Sequence, residues 1–130
     1  MKDERSHKRL EWILRIALFG EFFGHGIFAL QLKDKFLDMI ISVLGVSTGT
    51  ASYMLFTIGM ADIIVAFFAL VFPFRLLLIW ASVWGFVTAL ARPLAGDPIW
   101  DFVERWPNWG IPLALLYIRG APRKIKDWFT

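Results

Sequence analysis

The chain has 130 residues, of which 58% are hydrophobic, with a mean hydropathy of +0.59 and a formal charge of +3. Soluble domains are usually about 45–50% apolar, and a small domain buries a smaller share of its surface than a large one, so the surplus cannot be hidden inside. The surplus is bunched into runs, which points to an integral membrane protein of at most four or five crossings, at roughly 20 residues each, and excludes a large extramembrane catalytic domain.

No cysteine is present, which removes dithiol exchange, thiolate haem or cluster ligation and Cys-based zinc sites. The two histidines are His7, in a charged tail, and His25, in an apolar run, so one chain cannot offer two intramembrane histidines to a haem. Most basic residues sit at the ends of apolar runs, as membrane anchors do, and a nucleic-acid partner is not expected.

The spans follow in chain order. After the charged tail Met1–Glu11, a first crossing is expected over about 12–32, interrupted by Arg15, Glu21, His25 and Gln31. Its apolar run is too long for a signal peptide and no small-residue cleavage pattern follows, so it reads as an uncleaved span. Asp34, Asp38 and Ser42 then recur every fourth residue among apolar neighbours, the pattern of a short helix lying in the membrane interface, with Gly45 beginning the turn back. A second crossing is expected over 51–72, with Asp62 as its one charge; Pro73 ends it, and a third runs over 74–94, with Arg92 near its far end.

The fourth is weaker. Asp97 and Pro98 read as an N-cap and first helical residue, and Gly120 with Pro122 as a stop, while Pro107 and Pro112 interrupt the segment between. A broken or kinked span over 98–119 is therefore expected, giving one all-α domain over 1–130, a membrane four-helix bundle with a short interfacial helix after its first span. Non-helical backbone at membrane depth survives where it is packed in protein or lines a cavity, so the break marks either a polar cavity or a kink packed by neighbours.

Orientation follows from the basic residues. With the N-terminus inside, the inner side receives Lys2, Arg5, Lys8, Arg9, Arg15, Arg75, Arg119, Arg123, Lys124 and Lys126, and the outer side Lys33, Lys35, Arg92 and Arg105. That imbalance puts both termini in the cytoplasm of a cytoplasmic-type membrane. Arg15 is expected to snorkel inward, and the basic stretch Arg119–Lys126 to lie against anionic lipid heads.

Lipid offers no hydrophobic drive for helices to meet, so small residues should mark close contacts. Those are Ala17, Gly20 and Gly24 in span one, Gly59, Ala66 and Ala69 beside Asp62 in span two, and Ala81, Gly85 and Ala89 with Arg92 in span three. Glu21 and Asp62 fall near the middle of antiparallel spans, hence at one depth, and His25 lies one turn beyond Glu21 on the same face. Arg92, Glu104 and Arg105 come from the outer ends of spans three and four, completing an expected cluster in the outer half. A charge facing lipid at the bilayer centre costs about 2.5–3.5 kcal/mol, so these groups need partners, protons or a ligand. One reading is a ligand-binding or proton-handling site; the other is a satisfied interhelical network that holds the bundle together. Glu21, His25 and Asp62 have metal-ligand chemistry, but one histidine without a recognised spacing does not define a metal site. Trp80 and Trp84, one turn apart, could sandwich a flat ring such as a quinone, or be packed or lipid-facing filler.

Leu14-Arg15-Ile16-Ala17-Leu18, Gly20, Phe23, His25-Gly26 and the later Lys33 resemble the first span of DoxX-like proteins, over residues 14–33. The resemblance implies a small four-helix membrane protein linked to membrane redox assemblies and quinone chemistry. The expected role is binding a hydrophobic or quinone-like molecule in a polar pocket of the outer half, within a redox complex. The rivals are an accessory subunit of a larger membrane complex or self-assembly, with no ligand of its own, or a small carrier; the last is disfavoured because no internal repeat is evident.

Overall fold

The charged tail does not stay outside the first helix. In the computed structural model, which describes residues 2–130, α1 runs continuously over Lys2–Leu30. Its end is built by a Schellman motif: Lys33 N–H donates to Phe28 O (3.1 Å) and Leu32 N–H to Ala29 O (3.0 Å). Leu32 holds the left-handed position of that motif, at φ 54, where glycine is usual. Lys33 folds its ammonium over the Phe28 ring at 4.3 Å, and α2 (Asp34–Leu44) departs from there. Gly45, at φ 66, ends α2, and Ser47 caps α3 (Thr48–Val71) by accepting from Thr50 N–H. The link Phe72–Phe74 carries a fully buried Pro73 and leads into α4 (Arg75–Leu94).

All the regular structure among the described residues is helical, and α1, α3 and α4 are each long and apolar enough to cross a membrane. The segment expected as a fourth crossing divides into α5 (Ile99–Val103) and α6 (Pro107–Arg119). The break falls at Glu104–Trp106, before Pro107, which opens α6 where a missing N–H costs nothing. Pro112 sits inside α6 without ending it, and Pro98 takes the cap position expected for Asp97. Gly120 ends α6, and a short 3₁₀ helix over Ile125–Phe129 follows.

The pairing of helices is α1 on α3, α4 on α6 and α1 on α6, with α2 laid against α3 and α4. Small residues make the tight approaches of α1 to α3 and of α4 to α6. A Cβ at Gly59 would meet Ala29 and Leu30 at 3.0 Å, and one at Gly26 would meet Ile63 at 2.8 Å. At Gly85 a Cβ would run into the Asn108 carbonyl of α6. The stripes Gly59–Asp62–Ala66–Ala69 and Ala81–Gly85–Ala89–Arg92 are buried as expected. Gly20 and Gly24 differ: a Cβ at either would touch nothing, because that edge of α1 faces away from the other helices. Between the stripes lies a core of Leu18, Phe22, Val65, Leu77, Leu78 and Leu115.

Two arginines close helix ends at the pole opposite α2. A helix leaves its last carbonyls without partners and carries negative partial charge there, so a guanidinium is suited to them. Arg15 donates through Nε to Ala69 O (3.2 Å) and through Nη2 to Leu70 O at the end of α3, while lying 4.0 Å from the Trp12 ring. It is thus a helix cap instead of a snorkelling anchor. Arg75 likewise donates to Gly120 O (2.6 Å) and Arg119 O (2.5 Å) at the end of α6. Arg119, expected against lipid heads, instead pairs with Glu11 at 3.1 Å.

Candidate functional site

The apolar face of α2 does not lie idle. Phe36, Met39, Ile40, Val43 and Leu44 roof a cavity of about 330 Å³ whose other walls are α3 (Met54, Leu55, Ile58) and α4 (Val87, Ala91). Polar groups meet that chamber from three helices: His25 of α1, Asp62 of α3, and Trp84, Thr88 and Arg92 of α4. The α4 residues recur at intervals of four, so they form one ridge along the helix. Thr88 spends its hydroxyl proton on its own helix, donating to Trp84 O at 2.9 Å.

Arg92 is only 5% exposed, and none of the ion pairs among the described residues includes it. Its Nε is buried without a hydrogen-bond acceptor. The Phe36 ring lies 5.3 Å from its guanidinium carbon, and the same ring meets His25 at 6.1 Å and the Lys33 ammonium at 5.2 Å. Phe36 therefore joins the start of α2 to both basic groups around the cavity.

Behind the chamber is a second hollow of about 10 Å³, lined by Glu21, His25, Asp62, Trp84, Thr88 and Asn108 among others. Space of that order holds about one water, and the lining is polar enough to keep it. Asp62, 4% exposed, and Glu21, whose Oε1 is buried without a partner, thus share one small space, as their common depth implied. His25, Asp62, Trp84 and Thr88 line both hollows.

Two expected members of the cluster, Glu104 and Arg105, stand near Arg92 but do not join the lining of either hollow. Glu104 and Arg105 pair with each other at 2.9 Å, with the Glu104 side chain 66% exposed, and neither lines either of these two hollows. The break at 104–106 turns them outward, and Arg105 also donates to Asp101 O at 2.8 Å. Arg92 consequently does not hold Glu104. The tryptophan sandwich also fails: Trp80 and Trp84 stack directly on each other, 5.5 Å between centroids and 8° between planes. An intervening ring would need about 7 Å, two van der Waals gaps of roughly 3.5 Å. Trp84 alone reaches the chamber, and Trp80 is 45% exposed.

Sequence reasoning missed the α2 roof, Thr88 and Asn108. Thr88 was findable, since it stands midway between Trp84 and Arg92 at helical spacing. Among the described residues no three of His, Asp and Glu group so as to hold a metal ion. Ser52, Thr57, Ser82 and Thr88 donate to carbonyls of their own helices, so none of them is set up as a nucleophile beside His25. The arrangement is an apolar pocket with hydrogen-bonding groups converging at one side.

Fold and cavity together define an all-helical protein with three helices able to cross a membrane and a half-open apolar pocket under a short amphipathic helix. Comparison with protein-family models, with curated proteins and with solved structures gives no match.

Proposed function

We propose that this chain is a small four-crossing membrane protein that binds a hydrophobic, quinone-like molecule in the chamber between α2, α3 and α4. The observation that carries the reading is the chamber itself: about 330 Å³, walled by aliphatic side chains and met by His25, Asp62, Trp84 and Arg92. Ligand cavities have this size and this pairing of apolar walls with a few convergent polar groups. A quinone carbonyl is an acceptor for Arg92 or His25, and His25 can donate or accept near neutral pH. The DoxX-like pattern of residues 14–33 favours the same class of ligand and a place in a membrane redox complex.

In this reading α5 and α6 complete the fourth crossing. At 1.5 Å per residue α6 alone reaches about 20 Å, short of a roughly 30 Å hydrocarbon core, and α5 with its turn covers the rest. The distribution of basic residues favours both termini in the cytoplasm, with α2 and the chamber toward the outer leaflet. A reporter fused after Thr130 should behave as cytoplasmic and one inserted at Val46 as external; export of the C-terminal fusion would refute the four-crossing arrangement.

Binding is tested by filling the chamber. Ile58→Trp places an indole in space that is empty, so the variant should fold and lose at least tenfold in affinity for a short-chain quinone analogue. Undiminished binding in that variant would put the ligand somewhere else.

A further inference from the structure

Arg92 stands out among the groups around the chamber because it is buried without an ion pair, its Nε without an acceptor and its acidic neighbours beyond pairing distance. Taking a guanidinium out of water is expensive unless a counter-charge and hydrogen-bond acceptors replace the lost hydration. Asp97, Asp101 and Glu104 are its acidic neighbours, yet none comes within ion-pair distance. Asp62 lines the same chamber and is not paired with it either. The Phe36 ring at 5.3 Å attracts the cation without supplying an acceptor for its in-plane N–H groups. Those groups form a fork that suits two oxygens of one planar anion.

We propose that the occupant is a single-chain amphiphile with a carboxylate head, the head held by Arg92 and the chain lying between α2 and α3. This rests on the reading that the chamber binds a hydrophobic molecule, and departs from it in giving that molecule a carboxylate head where a quinone has a neutral carbonyl. Met39, Ile40, Val43, Leu44, Met54 and Ile58 line the same pocket and offer the chain aliphatic walls. A volume of about 330 Å³ lies at the lower end of the range for ligand cavities and suits one chain better than two. Arg92 is the one Lys or Arg in the lining and Asp62 its one carboxylate, so the site can answer at most a single negative charge, at the Arg92 end, and a dianionic phosphate head would be left largely unneutralised.

The test uses the full chain in nanodiscs of neutral lipid and three probes of equal length: 11-bromoundecanoate, 11-bromoundecanol and the matching bromoalkyl trimethylammonium. Bromine quenches tryptophan on contact, and Trp84 lines the chamber. Saturable quenching should appear with the carboxylate at a concentration at least tenfold below that needed for the alcohol, and should be absent with the ammonium. Arg92→Gln should erase the preference for carboxylate while alcohol binding persists. Equal affinity for carboxylate and alcohol in the unmodified protein would overturn the head-group assignment and leave the chamber's role standing. Ammonium binding as tight as carboxylate binding would do the same, and neither of these outcomes depends on the variant folding. Absence of saturable quenching by all three probes would overturn the single-chain assignment, whereas the chamber's occupancy by a quinone-like molecule fails separately, on undiminished quinone-analogue binding in Ile58→Trp.

Discussion

Gly85→Leu should separate α4 from α6 and cost the protein its fold. A Cβ at Gly85 would occupy the place of the Asn108 carbonyl, and the next atom in its way is Trp109 N at 3.1 Å. Both obstacles are backbone, so no rotamer change relieves the clash, and the helices must move apart. Separation also strips van der Waals contact from Leu78, Ala81 and Leu115, which are fully buried along the α4–α6 seam. Lipid supplies no hydrophobic penalty to oppose that separation, since close packing is what holds the pair. Overpacking ordinarily costs 1–3 kcal/mol, and with an immovable obstacle the loss should be at or above about 3 kcal/mol. Unfolding in a graded denaturing detergent measures it, and an unchanged midpoint would mean that α4 and α6 do not meet at this point. Gly20→Leu is the control: nothing lies within 4 Å of its added carbon, so the midpoint should hardly move.

The second large effect runs the other way. Arg92→Met should make the unliganded protein more stable, by about 1–3 kcal/mol, because a buried charge with no ion pair is exchanged for an apolar side chain of adaptable shape. An interhelical network reading of the same residue requires the opposite, since removing one member of a buried pair costs about 3–5 kcal/mol. Thermal unfolding of the ligand-free protein separates the two. A gain in stability joined to a loss of ligand would mark Arg92 as a residue held at the fold's expense for binding, the place where local rules are expected to be broken. A loss would return it to the role of structural glue.

The helical periods in the sequence carried the interior faces well. Gly59, Asp62, Ala66 and Ala69 repeat on one stripe, as do Ala81, Gly85, Ala89 and Arg92, and both stripes are buried. Spacing alone cannot say which small-residue face meets a neighbour, and Gly20–Gly24 turned out to face none. The amphipathic period of α2 was equally legible, but its apolar side suits lipid and chamber alike, so the roof could not be read from it. That Glu104 and Arg105 would pair with each other could not be read from spacing, because a turn of three residues decides which way they point and periodicity does not extend through turns. Trp80 and Trp84 show the limit of the i, i+4 rule: spacing that brings two rings to one face also lets them stack and close the gap between them.

The central claim is that the chamber under α2 holds a small molecule, and native mass spectrometry of protein released gently from its own membrane tests it most directly. The account expects an adduct of small-molecule mass on the unmodified chain, and its absence from Ile58→Trp, in which an indole fills the same 330 Å³. A bare chain, or one carrying only a partner protein, would contradict it and leave an accessory subunit with no ligand of its own.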